Sequence, residues 1–184
     1  MKPDPIAECS QCGNPFVRRN SMHRVCSPRC AIRAVRAQKA LERADFKRRQ
    51  EAAKTRSAWL KEAQEAVNRY VRMRDAHLPC VSCDRPASWG GQWHASHFRS
   101  VGAASALRFN LANVHKACSI CNNWKSGNLS EYEPRLRERI GGAKVDWLRT
   151  QNQRVEYSID YLRRLKAVFG KKARRQELRN EMQS

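Results

Sequence analysis

The run Cys118-Ser119-Ile120-Cys121-Asn122-Asn123-Trp124-Lys125-Ser126-Gly127 closes a cysteine set that opens at Cys80-Val81-Ser82-Cys83. Pairs of cysteines with two intervening residues are typical of tetrahedral zinc sites. Four thiolate ligands leave no open coordination position, so a metal held in this way is structural. The sequence therefore predicts a zinc-held module over residues 79–128, and its ligands are Cys80, Cys83, Cys118 and Cys121.

A second cysteine set lies in residues 1–31, where the spacing is Cys-x2-Cys followed by Cys-x3-Cys. Gly13 suits the tight turn of a zinc knuckle, and Pro28 suits the first turn of a helix that would carry Cys30, as in a treble-clef finger. No apolar leader follows Met1, so we expect a reducing cytoplasm in which cysteines bind metal, and disulfides of a secreted protein are the alternative. A second structural zinc is predicted on Cys9, Cys12, Cys26 and Cys30.

The charge of the chain indicates a polyanionic partner. Its 184 residues contain 37 Lys and Arg against 17 Asp and Glu, which gives a formal net charge of +20. Nucleic acid is the usual partner of such an excess, whereas a ribosomal or merely solvated basic surface is the alternative. No apolar run reaches the roughly 18 residues of a membrane span, so no membrane partner is expected.

A basic helical segment is predicted over residues 32–78. Between Arg29 and Leu78 the chain has neither glycine nor proline, and from Arg29 to Arg74 it has fourteen Lys or Arg against five Asp or Glu. The first half reads as a solvated basic helix. The second half is amphipathic, which predicts packing of one face. A coiled coil is the alternative, although no clean heptad runs through the segment, and a homodimer through this region stays open. The apolar face consists of Trp59, Ala63, Val67, Tyr70 and Val71.

Residues 129–184 are predicted to form C-terminal helices and a basic tail. A short helix from Leu129 to Ile140 should end at Gly141, and helical spacing resumes from Val155. The tail after Gly170 is either a frayed, solvated end or a phosphate-binding segment. The fold class is thus mainly α with small zinc-stabilised α+β modules. The basic tail residues that would contact DNA are Lys171, Lys172, Arg174 and Arg175.

The stretch between the two cysteine pairs of the second module carries candidate catalytic residues. A short strand from Trp93 to Arg99 would place His94 on one face and His97 on the other. Histidine is a suitable general base near neutral pH, and an asparagine oxygen suits a hard Mg²⁺ or Mn²⁺ ion. His97 and Asn122 fit these two roles. Three further residues are candidates for phosphate contacts: Arg99, His115 and Lys125.

This arrangement resembles the ββα-metal motif of zinc-bearing HNH nucleases, such as phage endonuclease VII. The resemblance covers about residues 80–127 and rests on Ser96-His97-Phe98, Asn113 and the run Cys118–Lys125. It implies that His97 is the general base and that Asn122 holds the catalytic metal. Asn113 would brace the loop or hold the histidine. Ser96 departs from the pattern, because Asp or His commonly precedes the base as a metal ligand, and His94 is the candidate replacement.

The whole chain resembles the NinG (Rap) recombination proteins of lambdoid phages. The resemblance rests on the N-terminal finger, the basic helical stretch, Trp93–Phe98 and Cys118–Gly127. It implies a metal-dependent endonuclease that cuts branched DNA, such as Holliday junctions and D-loops, during phage recombination in the host cytoplasm. Two alternatives stay open, namely a non-catalytic zinc-finger DNA-binding mediator and an RNA-binding, ribosome-associated protein. A junction presents two symmetry-related strands, so a homodimer is compatible with the nuclease hypothesis.

Overall fold

A computed structural model describes residues 6–182 and divides the chain into two compact units, Met1–Lys54 and Thr55–Ser184. Within the described residues the fold is mainly helical and contains two short antiparallel strand pairs, which confirms the predicted fold class at this level. None of the helices between residues 6 and 182 has the length and apolar character that a bilayer span requires.

The first unit consists of a small hairpin and one long helix. Strand β1 (Ile6–Glu8) pairs with β2 (Pro15–Val17), and helix α1 runs from Pro28 to Ala53. The Ser27 side chain accepts a hydrogen bond from the Cys30 N–H, and Pro28 occupies the first turn, where its missing N–H has no cost. The prediction that Cys30 lies on a helix opened by Pro28 is therefore confirmed.

The basic helical segment predicted over residues 32–78 is interrupted, so a continuous helix through this segment is wrong. Helix α1 ends at Ala53, and helix α2 runs from Arg56 to Arg74. Thr55 lies in extended backbone geometry between them, and its hydroxyl accepts from the Ala58 N–H at 3.2 Å. A threonine cap satisfies an N–H of a new helix, so a start signal exists here without glycine or proline.

An antiparallel hairpin lies at the centre of the second unit. Strand β3 (Trp93–His97) pairs with β4 (Val114–Cys118), so that Trp93 is opposite Cys118 and His97 is opposite Val114. This confirms the predicted strand. The connection between the strands contains a short 3₁₀ turn, Ser105–Leu107, and β4 leads into one π-helical turn, Ile120–Trp124.

Three further helices follow the hairpin: α3 (Leu129–Ile140), α4 (Gly142–Thr150) and α5 (Ile159–Glu181). The predicted end of α3 at Gly141 is confirmed, whereas α4 was not predicted as a separate helix. The predicted helix start at Val155 is wrong, because the chain stays extended until Ser158 caps α5 with its hydroxyl. The Val155 N–H donates to Ser105 Oγ at 2.7 Å, which holds this segment outside the helix.

The basic tail is an ordered part of α5, so the frayed-end interpretation is wrong. The helix continues through Gly170, and Ala173 is completely buried. Further along, the Asn180 side chain donates to the Met73 carbonyl at 2.9 Å. The packing of α5 against α2 thus outweighs the cost of a glycine inside a helix, which is about 1 kcal/mol.

The second unit buries two apolar clusters. One surrounds the cysteines and is covered by α3 and α4, and the other lies between α2, α5 and the hairpin. The buried face of α2 confirms the predicted amphipathic pattern, although Tyr70 is only partly buried. The buried large side chains of the first cluster are Val81, Phe98, Leu107, Tyr132, Leu136, Val145 and Leu148, and those of the second are Trp59, Val67, Val71, Phe109, Val114, Leu162 and Phe169.

A buried carboxylate joins the end of α2 to β4. Asp75 is 3% exposed and accepts hydrogen bonds from the Arg74 guanidinium, at 2.6 and 2.8 Å, and from the Lys116 N–H at 3.0 Å. Burial alone would raise the pKa of Asp75, but the bonds to Arg74, its charge and the Lys116 N–H lower it below the ordinary value. The carboxylate is therefore ionised and fixes β4 against α2.

Two glycines of the helical region should respond to alanine in opposite directions. Gly170 lies inside α5 with open space around it, so Gly170→Ala should raise the free energy of unfolding by about 0.5–1 kcal/mol. Gly141 joins α3 to α4 at φ +89°, so Gly141→Ala should lower it by about 1–3 kcal/mol. Urea unfolding of zinc-loaded protein checks both changes. Equal shifts in one direction would contradict the observed helix boundaries.

Candidate functional site

The eight cysteines form two clusters with the spacing of tetrathiolate metal sites. In each cluster all four Sγ atoms lie within 4.8 Å of one another. Individual Sγ–Sγ distances are 3.5 Å for Cys12 and Cys26 and 3.8 Å for Cys83 and Cys118. A tetrahedron with Zn–S bonds of about 2.3 Å has edges of about 3.8 Å, whereas a disulfide bond is about 2.05 Å long. The geometry therefore suits zinc, as predicted, and all eight cysteines are free thiols.

Hydrogen bonds to sulfur prepare the second cluster for negative charge. The N–H groups of Ser82 and Cys118 donate to Cys80 Sγ at 3.4 and 3.2 Å. The Arg85 guanidinium donates to both Cys83 Sγ and Cys118 Sγ at 3.5 Å. These donors favour the thiolate, which is the form that binds metal, whereas burial acts in the opposite direction and raises the pKa of Cys80 to about 11.

The second cluster fixes the position of Asn122 through its covalent neighbours in the chain. Cys118 is the last residue of β4, and Cys121 lies in the π-helical turn that follows. A metal bound to both would fix this turn against the hairpin. Asn122 is the next residue after Cys121, so its position depends on the cluster directly.

His94 and Asn122 are brought together by this arrangement. Asn122 Nδ2 lies 3.2 Å from His94 Nδ1 and donates to Asn123 Oδ1 at 3.0 Å. A hard cation at this point would take the Asn122 oxygen and a ring nitrogen of His94. Among residues 6–182, only the two cysteine clusters unite three or more Cys, His, Asp or Glu ligands. Water would therefore have to supply most of the coordination shell, which is usual for Mg²⁺.

His97 has one engaged and one available ring nitrogen. Its Nε2 lies 2.9 Å from the Arg108 carbonyl oxygen. A carbonyl only accepts, so Nε2 carries the proton and Nδ1 holds the lone pair. Burial and the nearby Arg108 charge lower the pKa of His97 below its ordinary value, although the bond to the carbonyl acts the other way. The ring is consequently neutral at pH 7, and within residues 6–182 its basic Nδ1 has no hydrogen-bond partner.

An open groove of mixed charge lies beside His97. Its wall includes a carboxylate, Glu133, which accepts a hydrogen bond from Arg149 at 2.9 Å. Arg99, one of the predicted phosphate contacts, also lines the groove, and its guanidinium donates to the Gln151 carbonyl and to Asn152 Oδ1. The residues that line the groove are His97, Phe98, Arg99, Ser100, Ala103, Ser126, Leu129, Glu133 and Arg149.

Asn113 braces the loop between the strands. Its side chain is completely buried, and its Oδ1 accepts from the Arg99 N–H at 2.8 Å. Its Nδ2 donates to the carbonyls of Arg99 and Leu107 at 3.0 and 3.2 Å. Of the two roles predicted for Asn113, the geometry matches the loop brace, because these bonds run to loop backbone. The loop in turn carries the carbonyl that holds His97.

His115 occupies a position that argues against the predicted phosphate contact. It is 3% exposed, its Nε2 donates to the Ala112 carbonyl at 3.1 Å, and its Nδ1 accepts from Arg74 at 3.2 Å. Burial, together with the Arg74 charge, lowers the pKa of His115 to about 4. The neutral ring is saturated with hydrogen bonds, and it belongs to the buried network around Asp75. The burial of His115 could not be predicted from alternation of inward and outward side chains along β4, because all five residues of the strand are buried.

The other predicted DNA-binding residues lie on the surface. Lys125 is exposed just after the π-helical turn, next to Trp124, which is 83% exposed. The basic residues of the predicted tail project from α5 and do not extend as a loose end. Lys172 lies above the Phe169 and Tyr70 rings. The exposed tail residues are Lys171, Lys172, Arg174 and Arg175.

Three contributors to the site were missed by sequence reasoning. Arg85 donates to two cysteine sulfurs, and its position two residues after Cys83 was a usable signal. Tyr132 is buried, and its hydroxyl donates to the Ser96 carbonyl at 3.0 Å, which ties α3 to β3. Arg108 acts through its backbone carbonyl, and no side-chain pattern can announce a backbone acceptor.

Comparisons with known proteins give a consistent result. The family model described as "Bacteriophage Lambda NinG protein" matches residues 1–181. "Protein ninG" of Escherichia phage lambda is 44% identical over 135 residues, which cover 73% of this chain and 64% of that protein. "Protein ninG" of Salmonella phage P22 is 44% identical over 127 residues, or 69% of this chain and 62% of that protein. No solved structure matches the chain.

Fold and site together define a mainly helical, strongly basic protein with two four-cysteine clusters that suit structural zinc. The chain belongs to the NinG family of bacteriophage proteins, which confirms the family resemblance. The alignments span less than two thirds of the length of these relatives.

The two clusters predict a defined zinc content. Protein purified without chelator should contain two zinc ions per chain, and Cys26→Ser or Cys83→Ser should each reduce the content to about one, because every ion needs its four thiolates. Ser10→Ala, a change beside Cys9 on an exposed residue, is the control and should keep two. Atomic absorption of folded protein provides the measurement. One zinc or none in the wild type, or two in the Cys83 variant, would contradict the assignment.

Proposed function

We propose that this protein is a metal-dependent endonuclease that cuts branched DNA, such as Holliday junctions and D-loops, in phage recombination. The observation that carries the proposal is the state of His97. It is a neutral histidine that is held by a backbone carbonyl, has a free Nδ1 and lines an open groove. The structural arrangement of two strands followed by a helical turn, with Asn122 after the last cysteine, supports the likeness to HNH nucleases.

In this proposal His97 removes a proton from the attacking water. The lone pair on Nδ1 accepts that proton, while the Arg108 carbonyl keeps the ring in one orientation and one tautomer. The carbonyl also stabilises the imidazolium that forms, because it accepts a hydrogen bond from the protonated ring. Asn113 contributes indirectly by holding the loop backbone around Arg99 and Leu107.

A divalent cation, Mg²⁺ or Mn²⁺, would neutralise charge on the phosphate when bound to Asn122 and His94. The two side chains are in contact at the π-helical turn, where Asn122 Nδ2 lies 3.2 Å from His94 Nδ1, so the amide would have to rotate to present its oxygen to a cation. Ser96, a weak ligand, occupies the position before the base where HNH nucleases commonly have aspartate or histidine. We therefore expect weak cation binding and activity that rises through millimolar concentrations of magnesium.

The substrate class follows from charge and from the family. The net charge of +20 suits a polyanion, and exposed basic residues near the site, including Lys125, are available for phosphate contacts. Charge does not distinguish branched from linear DNA. The preference for branched substrates comes into the proposal from the NinG resemblance alone.

A non-catalytic DNA-binding mediator is the second candidate function. The observation in its favour is that the His94–Asn122 pair contains no carboxylate, so the cation would have few protein ligands. Such a protein would bind DNA equally well with or without magnesium and would leave it intact.

Replacement of His97 tests the nuclease proposal. With a four-way junction, a linear duplex and an RNA hairpin as substrates, the wild type should cut the junction only when magnesium is present. His97→Ala should reduce the cleavage rate by about 10²–10⁴-fold, because general base catalysis contributes that much. Junction affinity and zinc content should be unchanged. His77→Ala is the matched control, since His77 is exposed.

Asn122→Ala and His94→Ala then test the cation site. Each should shift the magnesium dependence of cleavage to higher concentration, and raised Mn²⁺ should restore part of the rate. Cleavage by His97→Ala at the wild-type rate, or the absence of any magnesium-dependent cutting by the wild type, would sink the nuclease proposal in favour of the mediator.

A further inference from the structure

Helix α1 carries five basic side chains on one face. At 3.6 residues per turn, these five lie within an arc of about 80° and extend over about 27 Å of the helix axis. All five are exposed. We refer to them as the α1 stripe, and they are Arg29, Arg33, Arg36, Arg43 and Lys47.

The charges of the α1 stripe are not neutralised by neighbouring residues. Within residues 6–182 none of the five has an ion-pair partner. Acidic residues lie elsewhere on the helix: Asp45 is on the opposite side and pairs with Arg48 and Arg49 at 2.5 and 2.8 Å. Glu42 also faces away, and Glu51 shares the arc only beyond its C-terminal end.

Little of α1 is used for internal packing. Cys30 is its single buried residue, so the first turn is fixed to the cysteine cluster and most of the remaining helix is exposed. A helix without a buried face is stabilised by local pairs and propensity, and its exposed surface is available to a partner. An α-helix is about 10–12 Å in diameter, which is close to the width of the DNA major groove.

We propose that the α1 stripe binds the phosphate backbone of duplex DNA, independently of sequence. The five unpaired cations span about 27 Å of one helix face, which is the axial rise of about eight phosphates of one strand at about 3.4 Å each. Binding releases condensed counterions, and this release supplies the affinity. The inference rests on the proposed function only for the identity of the polyanion, because the binding surface is separate from His97 and Asn122.

A pair of charge-matched double variants tests the α1 stripe. Arg36→Gln/Arg43→Gln removes two stripe charges, and Arg48→Gln/Arg49→Gln removes two charges from the ion-paired side of the same helix. Gln has nearly the helix propensity of Arg, so α1 should persist. Fluorescence anisotropy with a linear duplex, without added magnesium and from 50 to 200 mM salt, gives the slope of log affinity against log salt. In the Arg36→Gln/Arg43→Gln variant, called the stripe pair, that slope should be shallower by about 1.8, since each phosphate contact contributes about 0.9.

Three outcomes would overturn the proposal for the α1 stripe. The first is an unchanged salt slope in Arg36→Gln/Arg43→Gln, and the second is an equal change of slope in the two double variants. The third is preferred binding of RNA, with duplex DNA affinity unaffected by the stripe substitutions. Light scattering tests the alternative that α1 is a dimerisation helix. A dimer that dissociates in the stripe pair while the salt slope stays constant would contradict the proposal. Circular dichroism and a zinc content of two establish that both variants are folded.

The test separates this inference from the nuclease proposal. The stripe pair should still cut a junction at saturating protein concentration, because His97 is intact. If the salt slope changes as expected but no variant ever cuts DNA, the stripe stands and the nuclease proposal fails. If cutting depends on His97 but the slope is unchanged, the reverse holds.

Discussion

The tetrathiolate cluster of Cys80, Cys83, Cys118 and Cys121 is the constraint on which the candidate site depends. Its four cysteines come from a knuckle before β3, from the end of β4 and from the π-helical turn, so one metal would join segments far apart in sequence. A two-stranded hairpin is marginally stable by itself. Metal–thiolate bonds would supply the stability that a small sheet lacks, and donors such as Arg85 would stabilise the thiolate charges.

The site for a structural metal and the candidate catalytic residues are separate parts of the second cysteine module. Four thiolates close the coordination shell of the cluster, so a zinc ion there cannot bind water or substrate. The candidate catalytic residues lie outside the cluster. Asn122 directly follows Cys121, whereas His97 is at the end of β3 away from Trp93, which pairs with Cys118. Asp75 also fixes β4 to α2 through the Lys116 N–H, and α2 and α5 share an apolar cluster with the hairpin. The hairpin that carries the site is thus held by α2 as well as by the cysteine cluster.

The parts of the fold that were predictable are those encoded by local spacing. Cysteine spacing identified both clusters, Pro28 identified the start of α1, and Gly141 identified the end of α3. The break at Lys54 and the late start of α5 were missed because each depends on one capping hydroxyl, of Thr55 and of Ser158. Such caps are weak signals inside a sequence that otherwise favours helix.

The site was predictable to a lesser extent than the fold. His94, His97, Asn113 and Asn122 could be named from motif spacing, and the structure places His94 beside Asn122. The engaged nitrogen of His97 depends on the Arg108 carbonyl, and the burial of His115 depends on tertiary packing around Asp75. Neither feature can be predicted from the local sequence pattern, because both arise from contacts between separate segments of the chain.

Amide hydrogen exchange before and after zinc removal tests the dependence of the site on the cluster most directly. With zinc bound, the amides of β3, β4 and residues 119–127 should be protected. After chelation these amides should lose protection before those of α2 and α5, whose shared apolar cluster needs no metal. Unchanged protection of β3 and β4 in zinc-free protein would contradict the account, because the hairpin and its histidines would then be held by packing alone.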